Sequence, residues 1–308
     1  MVETFEPKTD YKVVGTRPIR HDGYDKVTGR AIYGGDMKLP GLIWGVLVRS
    51  PHAHANIKSI NTSAAEASEG VMAIVTGADM PEAPSKLVDL GEGNVNFKWA
   101  SNKLMAGDKV LYHGHPVAAI AAVDRHHAEE AARKVVVEYE VLPSVTNVTD
   151  AMSDDAPVIL PDLVGDDLGE EITNTNIAEH MRHEFGDVEA AFAAAAHTIE
   201  REYNMEMVHQ GYIEPHNATA VWDEEDRIKI WTSTQGSFNA RTQVAGILQI
   251  DVSRVKVTPL EIGGGFGGKI PIYLEPVAAL LAKKSGRPVK MVMERSAVFE
   301  TTGPTPGG

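Results

Sequence analysis

The segment Gly263-Gly264-Gly265-Phe266-Gly267-Gly268-Lys269 restricts this chain more than any other. Five glycines in seven positions exceed what a tight turn requires. Without Cβ atoms, successive backbone N–H groups can close on an anionic or polar ligand. The apolar run Val255–Ile262 before it reads as a strand, and about Ile272 to Ser285 after it reads as a helix stopped by Gly286. Two ligand chemistries compete for such a strand-loop-helix unit. Gly263, Gly265 and Gly268 satisfy G-x-G-x-x-G, the dinucleotide fingerprint, with Glu294 at the end of the next strand as a ribose-binding acid. Gly263, Gly268 and Lys269 approach a P-loop, but Ile270 stands where a Ser or Thr hydroxyl would bind magnesium, and Pro271 is expected to open the helix. The dinucleotide reading stays open, although the unit lies far into the chain rather than at the start of a doubly wound sheet.

The rest of the chain alternates strands and helices. Residues 1–24 form an irregular lead. Within 25–145, strands are expected at Leu42–Ser50, Val71–Val75, Pro116–Val123 and Val135–Leu142, with a helix at Arg125–Lys134 capped by Asp124. Residues 146–185 are acidic and broken by Pro157, Pro161 and Gly165, and read as a linker. Residues 186–308 make a second unit. It holds a helix at Asp187–Ala196, a strand-like alternation over 197–210, a hairpin across Asp223–Asp226, a helix at 237–249 and a strand in 288–295. The chain ends on TTGPTPGG, which has no capping or core character, soon after the last strand, so it is expected to stop inside a domain.

Composition sets limits. The 308 residues suffice for two domains, and 43% hydrophobic with 23% charged residues is globular usage. A formal charge of -14 disfavours nucleic acid, whose phosphates need Lys and Arg. With no cysteine, the chain offers no thiolate for zinc or iron–sulfur ligation, so redox chemistry here would need a bound cofactor and a partner to take the electrons. No stretch approaches the length of a membrane helix, and the expected location is cytoplasmic.

Four motifs carry a resemblance. Val208–Trp222 (VHQGYIEPHNATAVW), Ser233–Leu248 (STQGSFNARTQVAGIL), Gly263–Tyr273 (GGGFGGKIPIY) and Gly286–Arg295 (GRPVKMVMER) follow in this order. In order and spacing the chain resembles the molybdenum hydroxylase family: the large, molybdopterin-binding subunits of xanthine dehydrogenase, aldehyde oxidase and carbon monoxide dehydrogenase. Lys26–Ile60 looks like the opening of that family's α/β hammerhead domain. The resemblance implies an α+β fold: a hammerhead domain over 25–145, then the first part of a molybdenum-cofactor-binding domain over 186–308, incomplete.

By the same resemblance, Gln235 matches the glutamine whose amide hydrogen-bonds an oxygen of the metal centre. Gly264, Gly265, Phe266 and Gly267 match the loop packed against pterin and metal, and Phe266 matches one wall of the substrate site. The implied cofactor is molybdenum-molybdopterin, in its cytosine dinucleotide form. The implied reaction is hydroxylation of a carbon centre, with water as the oxygen source and electrons passed to Fe-S and FAD partner subunits. The family's general base lies beyond this chain, so no catalytic residue and no direct metal ligand is assigned here, and the chain is expected to be inactive without a C-terminal molybdopterin-binding half or chain. KIPIY and VHQ-x-x-x-EP are similar to carbon monoxide dehydrogenase large subunits. Ile270 departs from the glutamate of purine-oxidising members, which puts xanthine in doubt as substrate. An aldehyde, N-heterocycle or carbon monoxide-like molecule is implied instead.

Read from the residues alone, Gln235 would cap the helix starting near Ser237 and Phe266 would be core; the resemblance reverses both. Glu214, before Pro215, reads as a structural carboxylate rather than a base. The pairs His52/His54, His113/His115 and His126/His127 lack a third ligand and read as loop and surface histidines. Two other functions stay open: a dinucleotide-dependent oxidoreductase using Gly263–Gly268, and a non-catalytic scaffold.

Overall fold

A mixed seven-stranded sheet ties the two ends of the sequence together. In the computed structural model, which describes residues 11–91, 94–303 and 307, its strand order is Val255–Pro259, Ile228–Thr232, Asn217–Trp222, Val289–Val292, Ile43–Arg49, Pro116–Ala122, Val71–Thr76. Residues 1–10 of the lead and 304–306 and 308 of the tail lie outside the described residues. The join is parallel: Ile43 pairs with Val289, Trp44 with Lys290 and Gly45 with Met291. One sheet thus runs across the stretch read as a linker, and contains strands from both family-like halves. The fold is α+β, with helices on both faces.

Alternation along Ile43–Arg49 explains the layering. Ile43 and Leu47 face one side, where the helix Glu275–Ser285 packs with Val277, Ala278, Leu281 and Ala282 fully buried. Val46 and Val48 face the other, with Ile74, Ile120 and Ala131 of the helix Arg125–Ala132. That helix starts as expected: the Asp124 carboxylate accepts from the His127 N–H at 2.9 Å. A smaller sheet of Lys109–Val110, Ala55–Asn61 and Val136–Val141 sits beside this core.

Several expectations are corrected. Residues 195–207 carry no strand, and 177–208 are exposed throughout; the alternation had no sheet to join. The stretch 146–185 contains a short helix, Val148–Ala151, and a three-stranded sheet of Gly165–Asp167, Glu170–Ile172 and Glu179–His180. Pro271 does not open a helix. The helix begins at Glu275, whose buried carboxylate turns back to accept from the N–H groups of Tyr273 and Leu274, both at 3.0 Å, with Pro276 in the first turn. A helix at Arg295–Thr301 follows the last strand and was not anticipated. Among the described residues no helix is long and apolar enough to cross a membrane.

Candidate functional site

The glycine loop is held from beneath by three residues: Gln235, Glu214 and Tyr212. The hairpin Asn217–Thr232 delivers Ser233, Thr234 and Gln235 to the end of a central strand. There the Gln235 N–H donates to the Lys269 carbonyl at 3.1 Å. Its side-chain Oε1 accepts from the N–H groups of Gly267 (3.0 Å) and Lys269 (3.2 Å). The amide is therefore oriented with Nε2 unengaged among the described residues, on an exposed residue. The helix at Ser237 has Gly236 at its cap and no side-chain cap bond, so Gln235 does not cap it.

Glu214 is a buried hub. Its Oε1 accepts from Asn217 Nδ2 (3.1 Å) and the Gly34 N–H (3.3 Å). Its Oε2 accepts from Ser233 Oγ (2.6 Å), the Gly263 N–H (2.8 Å) and Lys269 Nζ (2.8 Å). Lys269 has no exposed side-chain surface and donates also to Ser233 Oγ at 2.7 Å. Burial pushes the Glu214 carboxyl up, but the Gly263 N–H, Lys269 and Ser233 outweigh it and hold it below the ordinary value. A carboxylate with every lone pair engaged is a structural group, as the residues suggested.

Tyr212, 1% exposed, lies under the loop: a Cβ on Gly268 would stand 2.8 Å from its ring and one on Gly264 3.0 Å from its Cβ. Its hydroxyl sits between His216 Nε2 (2.7 Å) and Thr302 Oγ1 (2.9 Å). Burial, then the Lys269 charge, pushes His216 down to about 3, so it is neutral at physiological pH.

The loop's outer side is shaped for a ligand. Gly264 and Gly267 have φ of 96° and 89°, and Phe266, at φ 50°, stands in a region bulky residues rarely occupy. That conformation presents the Phe266 ring outward, 73% exposed. The N–H groups of Gly264, Gly265 and Phe266 have no partner among the described residues. Gln210 Oε1, beside Gly268, is buried without a partner. Cβ atoms on Gly264 and Gly265 would strike Tyr212 and Gln235, so these glycines let the loop settle on its support, while Gly267 faces open space. Three free N–H donors, a free amide and an orphaned acceptor on such a loop suit a large polar organic group such as a pterin. They suit a dinucleotide less well: Ile270–Leu274 separate the loop from the helix that follows it, so that helix does not start at the loop as the fingerprint requires, and Glu294 pairs with Arg125 at 3.2 Å.

The five residues singled out in the sequence are brought together here. Gln210, Tyr212, Ser233 and the buried state of Lys269 were not anticipated; a lysine inside a glycine loop, with an acid upstream in the EP pair, was the available signal. Two of the paired histidines are not surface groups: His54, 5% exposed, has Nδ1 2.5 Å from the Pro143 carbonyl, and His115, fully buried, accepts from the Leu111 N–H at 3.1 Å and sits 2.6 Å from the Asn102 carbonyl, where burial pushes it down to about 4. No group of three potential metal ligands occurs among the described residues.

Comparison with known proteins gives this fold and loop their family. The family model described as "Molybdopterin cofactor-binding domain" matches residues 169–307, and "Aldehyde oxidase and xanthine dehydrogenase, a/b hammerhead domain" matches 28–143. The chain belongs to the xanthine dehydrogenase, aldehyde oxidase and carbon monoxide dehydrogenase family of molybdenum hydroxylase large subunits. It is 30% identical, over 93% of its length, to the nicotinate dehydrogenase large molybdopterin subunit of Eubacterium barkeri. It is 34% identical, over 89%, to the carbon monoxide dehydrogenase large chain of Afipia carboxidovorans. It spans 62% of the first relative and 34% of the second. Among solved structures it resembles reconstituted CO dehydrogenase from Oligotropha carboxidovorans, with a TM-score of 0.79 at 31% identity over 94% of this chain and 36% of that one. Quinoline 2-oxidoreductase from Pseudomonas putida 86 gives 0.77 at 27%, over 95% and 36%.

Proposed function

We propose that this chain forms one wall of the active site of a molybdenum-dependent hydroxylase acting on an aldehyde, N-heterocycle or carbon monoxide-like substrate. The observation that carries this is the state of Gln235: its carbonyl oxygen is committed to the loop, leaving the amide N–H₂ to donate outward beside Phe266. When bound, a molybdenum-molybdopterin group, in its cytosine dinucleotide form, would supply two-electron oxidation of a carbon centre with water as the oxygen source. This chain's own residues bind and orient. Gly264, Gly265 and Gly267 shape the loop that would pack against the group, the free loop N–H groups and Gln210 offer a complementary donor and acceptor set, and Phe266 walls the substrate space.

The proton acceptor comes from elsewhere. Glu214 already accepts five hydrogen bonds and keeps its charge for Lys269, so it cannot also take a proton. In this reading a second, C-terminal molybdopterin-binding half or chain supplies that base. With no cysteine here, electrons pass to Fe-S and FAD partner subunits of a cytoplasmic complex. Ile270, apolar where it follows the loop lysine, supports a substrate other than a purine. The test is Gln235→Ala in the assembled enzyme: turnover falls roughly ten- to a thousandfold with cofactor still loaded, the range for losing one positioned donor. Unchanged turnover at full loading contradicts the role.

A further inference from the structure

Away from the glycine loop, the central sheet splits. Ile43–Arg49 and Val289–Val292 pair over only three residues, ending at Gly45 and Met291. Beyond that the second strand leaves: the Met293 N–H donates to the His216 carbonyl at 2.8 Å, and the chain turns into the helix Arg295–Thr301. The gap between the diverging strands is a cleft of about 340 Å³, near the lower bound for small-ligand pockets. It lies at the carboxyl ends of two adjacent parallel strands, where open sheets place ligands. None of its lining residues belongs to the loop or to the Glu214 network.

The lining has two parts. Trp44, Leu47, Met291, Met293 and Ala297 give apolar walls. Trp44 is fixed by Lys290, whose Nζ stands 4.4 Å from the ring centroid. Among the polar groups, Arg125 is engaged by Glu129 (2.6 Å) and Glu294 (3.2 Å), and Arg133 by Glu130. Arg49 differs. The register with Pro116–Ala122 slips between Val48 and Arg49, which re-aims its side chain. Half-buried, the guanidinium donates to one group among the described residues, the Gly114 carbonyl at 2.9 Å. Its other N–H donors have no protein partner among the described residues, and Arg49 lines the cleft beside the apolar wall.

We propose that this cleft is a second binding site, for a small, singly charged carboxylate with a flat apolar body. The guanidinium fork matches a carboxylate in a bidentate way. The body lies against Trp44 and the methionines. Glu294 and Glu300 also line the cleft, and their charge argues against a phosphate or dicarboxylate. This site is independent of the proposed hydroxylase chemistry and of cofactor loading.

The test uses 4-fluorobenzoate and 19F NMR on the purified enzyme. Saturable line broadening is expected, displaced by benzoate but not by neutral benzamide. Arg49→Gln should weaken binding by about ten- to a hundredfold, the worth of one charge-assisted pair, and Arg49→Lys by less. Ser296→Trp, at an exposed position on the cleft rim, should abolish it without touching the core; it decides the matter if Arg49→Gln does not fold. Retained broadening in a folded Arg49→Gln or in Ser296→Trp places the probe elsewhere and overturns the proposal. So does equal competition by benzamide, or no saturable binding, which would mean that a polypeptide segment of the enzyme fills the cleft.

Discussion

Breaking the Glu214–Lys269 pair should cost more from one side than from the other. Both side chains are withdrawn from water, at 10% and 0% exposure, and removing one partner of a buried pair typically costs about 3–5 kcal/mol. In Lys269→Met, Glu214 keeps four of its donors: Gly34, Asn217, Ser233 and Gly263. That variant belongs at the lower end, about 3 kcal/mol. In Glu214→Gln the Lys269 ammonium loses its countercharge, and because the amide has one oxygen, its N–H₂ must face either the Gly34 and Asn217 donors or the Ser233, Gly263 and Lys269 donors. That variant belongs near about 5 kcal/mol. The double variant should cost less than Glu214→Gln alone, because no charge is left stranded. The pH dependence has a definite sign. A carboxyl held below its unfolded value stabilises fully above that value, about 4.3 for Glu, and loses the contribution as pH falls through the folded value. The gap between wild type and Glu214→Gln should therefore be flat near neutrality and narrow below about pH 4. Urea unfolding followed by tryptophan fluorescence measures all of this. A cost below about 1 kcal/mol for Glu214→Gln, or a double variant equal to the sum of the singles, would refute the hub.

Three shorter predictions follow from the same geometry. In Gly265→Ala the new Cβ collides with Gln235 Oε1, so molybdenum per chain should fall severalfold while the melting temperature stays within a few degrees. Tyr212→Phe removes the hydroxyl between His216 and Thr302 and should destabilise by about 1–3 kcal/mol in the same urea assay. In a histidine NMR titration, His216 and His115 should show no transition between pH 5 and 8, since burial holds them at about 3 and about 4; a midpoint near 6.5 for either would contradict their burial.

Local rules carried the sequence reading where elements stand on their own residues. Asp124 before an alanine-faced helix, the turn between Val221 and Lys229, and Gly286 at φ 65° after a helix are readable because cap and turn chemistry is short-range. Long-range pairing was not. Nothing in Ile43–Gly45 announces that its parallel partner is Val289–Met291, so the continuous sheet across the stretch 146–185 appears only in three dimensions. Residues 197–210 alternate like a strand, yet alternation does not supply a neighbour. At the site, the glycines and Gln235 were visible through the motif and its resemblance. The φ of Phe266, the orphaned Gln210 oxygen and the five donors converging on Glu214 depend on where distant segments meet, and no spacing encodes that.

The most direct test of the central claim is chemical analysis of the purified protein for molybdenum, pterin and nicotinamide nucleotide, with and without a second polypeptide that supplies the C-terminal molybdopterin-binding half. If the loop grips a molybdopterin from one side only, the 308-residue chain alone should hold little metal. It should gain about one molybdenum and one pterin, together with activity, when the second polypeptide is present. Stoichiometric bound nicotinamide nucleotide without molybdenum would contradict the account, as would a monomer of this chain alone carrying one molybdenum and oxidising an aldehyde or heterocycle.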